Sequence, residues 1–195
     1  MSALDKTLID HARDVLEACR RDGLTLAVAE SCTGGLLAAS LTAVPGSSDV
    51  FDRGFVTYSN EAKSEVLGVE PELLASVGAV SEDVAVAMAL GALAASGRSI
   101  SASITGIAGP TGGSETKPVG LVFMAAARMD GLVRPKRYVF AGSRDDIRLA
   151  STHAALDLLL ELVTLRDDML EDEDDPPSGS SDDPNANAGD HGNGS

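Results

Sequence analysis

Residues 24–35 read LTLAVAESCTGG, and the reading of that stretch decides the fold. Leu24 to Ala29, with Leu24, Leu26 and Val28 alternating with Thr25, Ala27 and Ala29, form a short uncharged run bounded by Gly23 and Glu30, as expected of a buried strand. The chemistry then changes at once. Glu30, Ser31, Cys32 and Thr33 bring polar groups, and Gly34-Gly35 makes a turn. Residues 33–44 are small and apolar on nearly every side, which predicts a buried helix that Pro45-Gly46 breaks. A strand, a polar glycine turn and a buried helix make the opening unit of an α/β domain. In open sheets of that class, ligands bind at the carboxyl ends of the strands.

The pattern continues on both sides. Leu4, Leu8, Ala12, Val15, Leu16 and Cys19 recur at helical spacing and predict an amphipathic first helix ending near Gly23. A second strand is expected over 51–58, and short helices over 60–67 and 71–76. Ser81 followed by Glu82 and Asp83 is an N-cap with first-turn carboxylates, opening an alanine-rich helix to about Ser96. A third strand is expected over 99–104, followed by the glycine-rich loop 105–113. Two further strands, 119–127 and 133–140, flank Met129-Asp130-Gly131, whose Asp-Gly pair signals an antiparallel hairpin. Ser143 and Asp146 resemble a capping box before a final helix that turns Ile147, Ala150, Ala154, Leu158 and Leu162 inward. The expected architecture is α/β, a three-layer α/β/α sandwich with a mixed, mostly parallel sheet.

Composition narrows the function. The chain has 195 residues and a net charge of −15, from 15 basic and 30 acidic side chains. Such a balance argues against binding nucleic acid through phosphate neutralisation and against docking on an anionic membrane. No apolar run approaches the roughly 20 residues of a membrane helix. No leader segment is recognisable, and the two cysteines, Cys19 and Cys32, fit a reducing compartment. A cytoplasmic protein is expected. From Asp167 onward there are ten acidic residues and no Lys or Arg, leaving 20 acidic against 15 basic over 1–166. The chain therefore divides into a domain, 1–166, and an acidic tail, 167–195, expected to be disordered. The tail suits either a basic partner or solubility in a salt-rich cytoplasm. The second is favoured because Lys is scarce, four against eleven Arg, and Asp outnumbers Glu 19 to 11; a halophilic setting is the expectation.

Two loops carry chemistry because each follows a strand. In the first, Ser31 could act as a nucleophile beside amides of the turn, or it and Thr33 could merely cap the helix. Glu30 suits a base or a carboxylate paired with a nearby donor. Cys32 is expected to be a small packing residue. The second loop, from Thr105 through Gly106 and Gly109 to Gly113, lacks the Gly-Lys-Ser/Thr of a phosphate-binding P-loop. His11, His153 and His191 lie outside both loops, and their spacing suits no metal site. Tyr58 ends a strand and Lys63 lies one turn into the next helix, so the two side chains could converge on Ser31. A Lys whose pKa is lowered by burial can act as a base; the plain alternative is a solvated cation. Arg144 and Arg148, at the start of the last helix, either hold a phosphate or pair with Asp145.

Several segments together resemble one family. They are 29–35 (AESCTGG), 54–63 (GFVTYSNEAK), 78–81 (GAVS), 105–110 (TGIAGP) with Gly112-Gly113, and 117–120 (KPVG). They are similar to the CinA C-terminal domain family, whose characterised members are nicotinamide-nucleotide amidohydrolases. The similarity runs from Leu4 to Val163. It implies hydrolysis of the carboxamide of nicotinamide mononucleotide, giving nicotinic acid mononucleotide and ammonia. Ser31 would be the nucleophile, with Lys63 and Tyr58 as its activating partners. Substrate would meet Thr33, Gly34, Gly35, Thr105, Gly106, Gly109, Arg144 and Arg148, with an oxyanion held by the 33–35 or the 105–106 turn. No metal and no cofactor are implied, and a homo-oligomer is expected. Longer relatives carry a preceding domain whose activities do not transfer. The competing classes are a non-catalytic nucleotide-binding module, a competence- or DNA-damage-associated protein of the CinA type, and a protein recruited through its acidic tail.

Overall fold

The computed structural model describes residues 4–171. Five strands form one sheet: β1 (Leu26–Glu30), β2 (Phe51–Val56), β3 (Ile100–Gly106), β4 (Leu121–Arg128) and β5 (Val133–Val139), in the order β2-β1-β3-β4-β5. β1 pairs in parallel with both β2 and β3, and β4 is antiparallel to β3 and to β5. The sheet is mixed as expected. Four of its five strands point the same way, although its pairings divide evenly between parallel and antiparallel. The β4–β5 hairpin turns at Gly131, whose φ of +99° needs a glycine.

Six helices complete the layers. α1 (Lys6–Arg21), α2 (Leu36–Thr42) and α6 (Arg144–Glu171) pack together on one face. α3 (Asn60–Leu67), α4 (Pro71–Val77) and α5 (Glu82–Ser96) cover the other. Strand alternation explains why the two faces differ. Ile100, Ala102 and Ile104 of β3 and Val122, Met124 and Ala126 of β4 point into the large aliphatic core under α1 and α6, beside Leu8, Leu16 and Leu159. The intervening positions are small: Ala125 and Ala127 meet Ala85 and Ala89 of α5. Small side chains let α5 lie close to the sheet, where Ser101 and Ser103 donate to the Ala89 and Ala85 carbonyls at 2.8 and 2.5 Å. Phe51 is the one buried aromatic among the described residues, so methyl groups and aliphatic chains carry the burial.

Most boundaries agree with the sequence, and the differences are physical. α2 begins at Leu36 rather than Thr33, because Gly34 and Gly35 adopt φ of +61° and +94°, outside the helical region. α6 continues to Glu171, past the expected domain end at 166. Its start is capped as expected: the Ser143 hydroxyl and amide both donate to the Asp146 carboxylate, at 2.6 and 2.8 Å. Residues 172–195, most of the acidic tail, lie outside the described residues. Among the described residues no helix is long and apolar enough to cross a membrane.

Candidate active site

The site forms where β1, β2 and β3 end. Ser31 follows β1 directly, and its amide donates to the Ile104 carbonyl of β3 at 2.9 Å, which fixes the turn to the sheet. Preceding it, Glu30 is fully buried, and its carboxylate accepts from the amides of Gly35, Leu37 and Ala38 at 3.0, 3.1 and 2.8 Å. The first turn of α2 thus carries a built-in anion that satisfies the amides a helix start leaves open. That changes the expected use of this turn. The Gly35 amide is engaged by Glu30, and the Gly34 amide donates to the Ser31 carbonyl at 3.1 Å. Neither is free to receive a substrate anion. Of the two roles open to Glu30, the structure places it with its donors.

Lys63 is brought in by α3. Ser59 caps that helix through its hydroxyl, which accepts from the Ala62 amide at 3.1 Å, so Lys63 falls one turn in and points back over the sheet edge. Its side chain is among the largest fully buried ones, at 1% exposure. Nζ lies 3.2 Å from Ser31 Oγ and donates to the Thr57 carbonyl at 2.8 Å. Burial without a carboxylate partner pushes its pKa below the usual 10.5, a shift that the nearby Cys32 thiol opposes. A buried amine with a depressed pKa, in contact with a serine hydroxyl, is chemically able to take that hydroxyl's proton. Cys32 itself is buried, and burial pushes its thiol up to about 11, so it stays protonated at neutral pH.

Tyr58 is placed differently from the expected partner of Lys63. The residue is 61% exposed, and its hydroxyl accepts from Arg144 Nη2 at 2.9 Å. Arg144 also donates to the Gly109 carbonyl at 2.9 Å. Tyr58 and Arg144 border, with Ser31 and Lys63, a cavity of about 290 Å³. Arg148 does not line that cavity. Its guanidinium donates to the Thr33 carbonyl at 2.9 and 3.3 Å and lies 3.5 Å from Asp145, so it braces the turn that follows Ser31. Thr33 is fully buried, and its hydroxyl is one of two buried side-chain oxygens among the described residues that find no partner.

The glycine loop forms the opposite wall. Gly106 has no room for a side chain, since a Cβ would stand 2.7 Å from Val122 Cγ2. Gly109 takes φ of +74° against Val119 and precedes a cis bond to Pro110. Thr105 is buried and its hydroxyl donates to the Ala79 carbonyl at 2.7 Å. Ala79 and Val80 line the cavity between α4 and α5, a wall to which sequence reasoning gave no role although the 78–81 segment was one of the resembling stretches. His11 and His153 lie elsewhere, Nδ1 to Nδ1 at 3.0 Å between α1 and α6, with His11 Nε2 3.0 Å from Asp157. Among the described residues no group of three or more His, Cys, Asp or Glu is arranged to hold a metal ion.

Fold and site together define a class: an α/β/α domain that presents an amine-partnered serine hydroxyl at the carboxyl ends of its parallel strands. More particularly, the chain belongs to the CinA C-terminal domain family, whose profile matches residues 9–163. The nicotinamide-nucleotide amidohydrolase PncC of Escherichia coli K12 is 50% identical over 155 residues, 80% of this chain and 94% of that protein. A CinA-like protein of Geotalea uraniireducens is 53% identical over 148 residues, 75% of this chain and 35% of that protein. The chain thus spans about a third of several longer curated relatives, 33–36% of their length. Among solved structures, competence/damage inducible protein CihA from Agrobacterium tumefaciens has a TM-score of 0.81 at 45% identity, covering 83% of this chain and 99% of that one.

Proposed function

We propose that this protein is a nicotinamide-nucleotide amidohydrolase that converts nicotinamide mononucleotide and water into nicotinic acid mononucleotide and ammonia. The observation that carries the reading is the contact of Ser31 Oγ with a lysine that is 1% exposed; the likeness to PncC supplies the substrate class. Ser31 Oγ attacks the carboxamide carbon while Lys63 Nζ takes the hydroxyl proton. The C–N bond then breaks, Lys63 returns the proton to the departing nitrogen, and ammonia leaves. Water, deprotonated by the same amine, cleaves the Ser31 ester and releases the carboxylate. The Gly34 and Gly35 amides are engaged inside the protein, so this reading does not use them for the oxyanion. Arg144, at the cavity wall, is the cation placed for the 5′-phosphate. Tyr58 orients Arg144 rather than relaying a proton.

The same proposal covers a cytoplasmic, homo-oligomeric protein that works without nucleic acid or membrane partners, in a salt-rich interior. Highest activity in dilute buffer, lost in molar KCl, would remove the halophilic part. The function itself is tested by ammonia release from nicotinamide mononucleotide. The native chain is expected to release it and a folded Ser31→Ala variant is not. Tight binding of the nucleotide with no ammonia from the native chain would make the protein a binding module instead.

A further inference from the structure

Four lysines occur in the chain. Lys6 and Lys136 form surface ion pairs with Asp10 and Glu161. The other two donate to main-chain carbonyls: Lys63, which lines the cavity, to Thr57 at 2.8 Å, and Lys117 at 2.7 Å to Val77, two residues before the Ala79–Val80 part of the cavity lining. The second contact spans 40 residues and ties the 117–120 segment to Val77, immediately before the 78–81 segment; the proposed chemistry leaves both segments without a task.

Val77 is the last residue of α4, where carbonyls lack helical donors and the helix dipole is negative. A cation is the stabilising group for that position. The chain then reverses at Gly78, with φ of +75° and ψ of 157°. A Cβ on Gly78 would stand 3.1 Å from Lys117 Nζ, so the ammonium sits directly over this glycine. The next carbonyls are also held: the Ser81 hydroxyl donates to Gly78 at 3.0 Å and the Thr105 hydroxyl to Ala79 at 2.7 Å. Three consecutive carbonyls, from Val77 to Ala79, are therefore pinned by side chains. The segment so fixed presents Ala79 and Val80 to the cavity, across from Ser31 and Lys63. Lys117 is itself held, because its amide donates to the Ser114 hydroxyl oxygen at 3.1 Å and its carbonyl accepts from the Ser114 amide at 2.8 Å.

We propose that Lys117 is a positioning residue that sets the place of the Ala79–Val80 wall and thereby the fit of the planar aromatic carboxamide against Ser31. The proposal rests on the amidohydrolase reading of the same cavity. An apolar wall of Ala79 and Val80, with Ile107 and Ala108 on the glycine-loop side, suits the face of an aromatic ring. Loss of the ammonium frees the Val77 carbonyl and lets the wall shift. Because the wall touches the ring and not the reacting atoms, the loss falls on substrate affinity first.

The test compares the native chain with Lys117→Met and Lys117→Arg, measuring kcat, KM for nicotinamide mononucleotide and thermal midpoint. The expected result is KM raised about tenfold in Lys117→Met with kcat within about threefold, and recovery of most of the affinity in Lys117→Arg. Unchanged KM in Lys117→Met overturns the proposal. So does a variant that fails to fold, or a lowered midpoint with unaltered kinetics in the folded fraction, either of which makes the contact purely structural. A native chain that releases no ammonia refutes the amidohydrolase reading itself, and that outcome is seen before any variant is made.

Discussion

Replacing Lys63 by Met tests whether the amine is present for chemistry or for the fold. Met has similar length and no charge, so it fills the same fully buried volume. Two energies change in opposite directions. The Thr57 carbonyl loses its 2.8 Å donor, and an acceptor buried without a partner costs about 1–3 kcal/mol. Against this, a buried amine without a carboxylate partner no longer has to be desolvated, a gain commonly of about the same size. The net change in stability is therefore about 2 kcal/mol or less, of either sign. The rate has no such compensation: loss of the general base lowers kcat by about 10²–10⁴-fold. The pH dependence adds a second signature. Lys63 in the folded protein loses its proton below the usual 10.5. Between the folded value and 10.5 the unfolded chain binds more protons, so the native protein gains stability as pH rises through that window. Lys63→Met lacks this gain, and its stability relative to the native chain is greatest at neutral pH and declines toward pH 10.5. Urea unfolding at several pH values, beside an ammonia assay, reads both. A Lys63→Met protein that keeps its rate within tenfold, or that is destabilised by more than about 3 kcal/mol, refutes the assignment.

Other consequences are as direct. Glu30→Gln puts an amide NH₂ against backbone donors at the start of α2 and should cost about 2–4 kcal/mol by urea unfolding; a loss under 0.5 kcal/mol would mean the three contacts do not hold that turn. Arg144→Ala should raise KM for the nucleotide about tenfold or more and leave KM for the corresponding nucleoside unaltered, whereas Arg148→Ala should lower stability through the freed Thr33 carbonyl; equal effects of Arg144→Ala on both substrates would place the phosphate elsewhere. His153 is held below the usual 6.5 by burial and by the neighbouring His11. The unfolded chain therefore binds more protons as pH falls through 6.5 toward the folded value, and stability is lost over that interval. In His153→Gln the slope of the unfolding free energy against pH below 6.5 should flatten, and an unchanged slope would assign it to other groups.

The parts of the molecule legible in the sequence are those set by short-range chemistry. The apolar run before Glu30, the Ser81 cap, the Asp130-Gly131 hairpin turn and the Ser143–Asp146 pair each declare themselves within a few residues. The start of α2 was misjudged because composition favoured helix, while Gly34 and Gly35 are needed for a left-handed reversal. Glu30 was ambiguous since a carboxylate is ordinarily solvated; only the packed turn shows it removed from water and given three donors. Ser31 stands out at a strand exit and Lys63 one turn into a later helix, and the fold brings the two within 3.2 Å. The bond from Arg144 to Tyr58 spans 86 residues and that from Arg148 to Thr33 spans 115, so no local pattern could separate the two arginines. For Lys117 the signal was present, a lysine in a chain that has few, but its partner at Val77 is fixed only by the tertiary fold.

The central claim is that the carboxamide passes through an ester of Ser31. Partitioning by hydroxylamine tests it, using two substrates that share the acyl group and differ in the leaving group, the mononucleotide carboxamide and its methyl ester. One shared intermediate predicts the same ratio of hydroxamate to carboxylate from both. Ratios that differ between the two leaving groups would mean that water attacks the substrate directly and that Ser31 is never acylated.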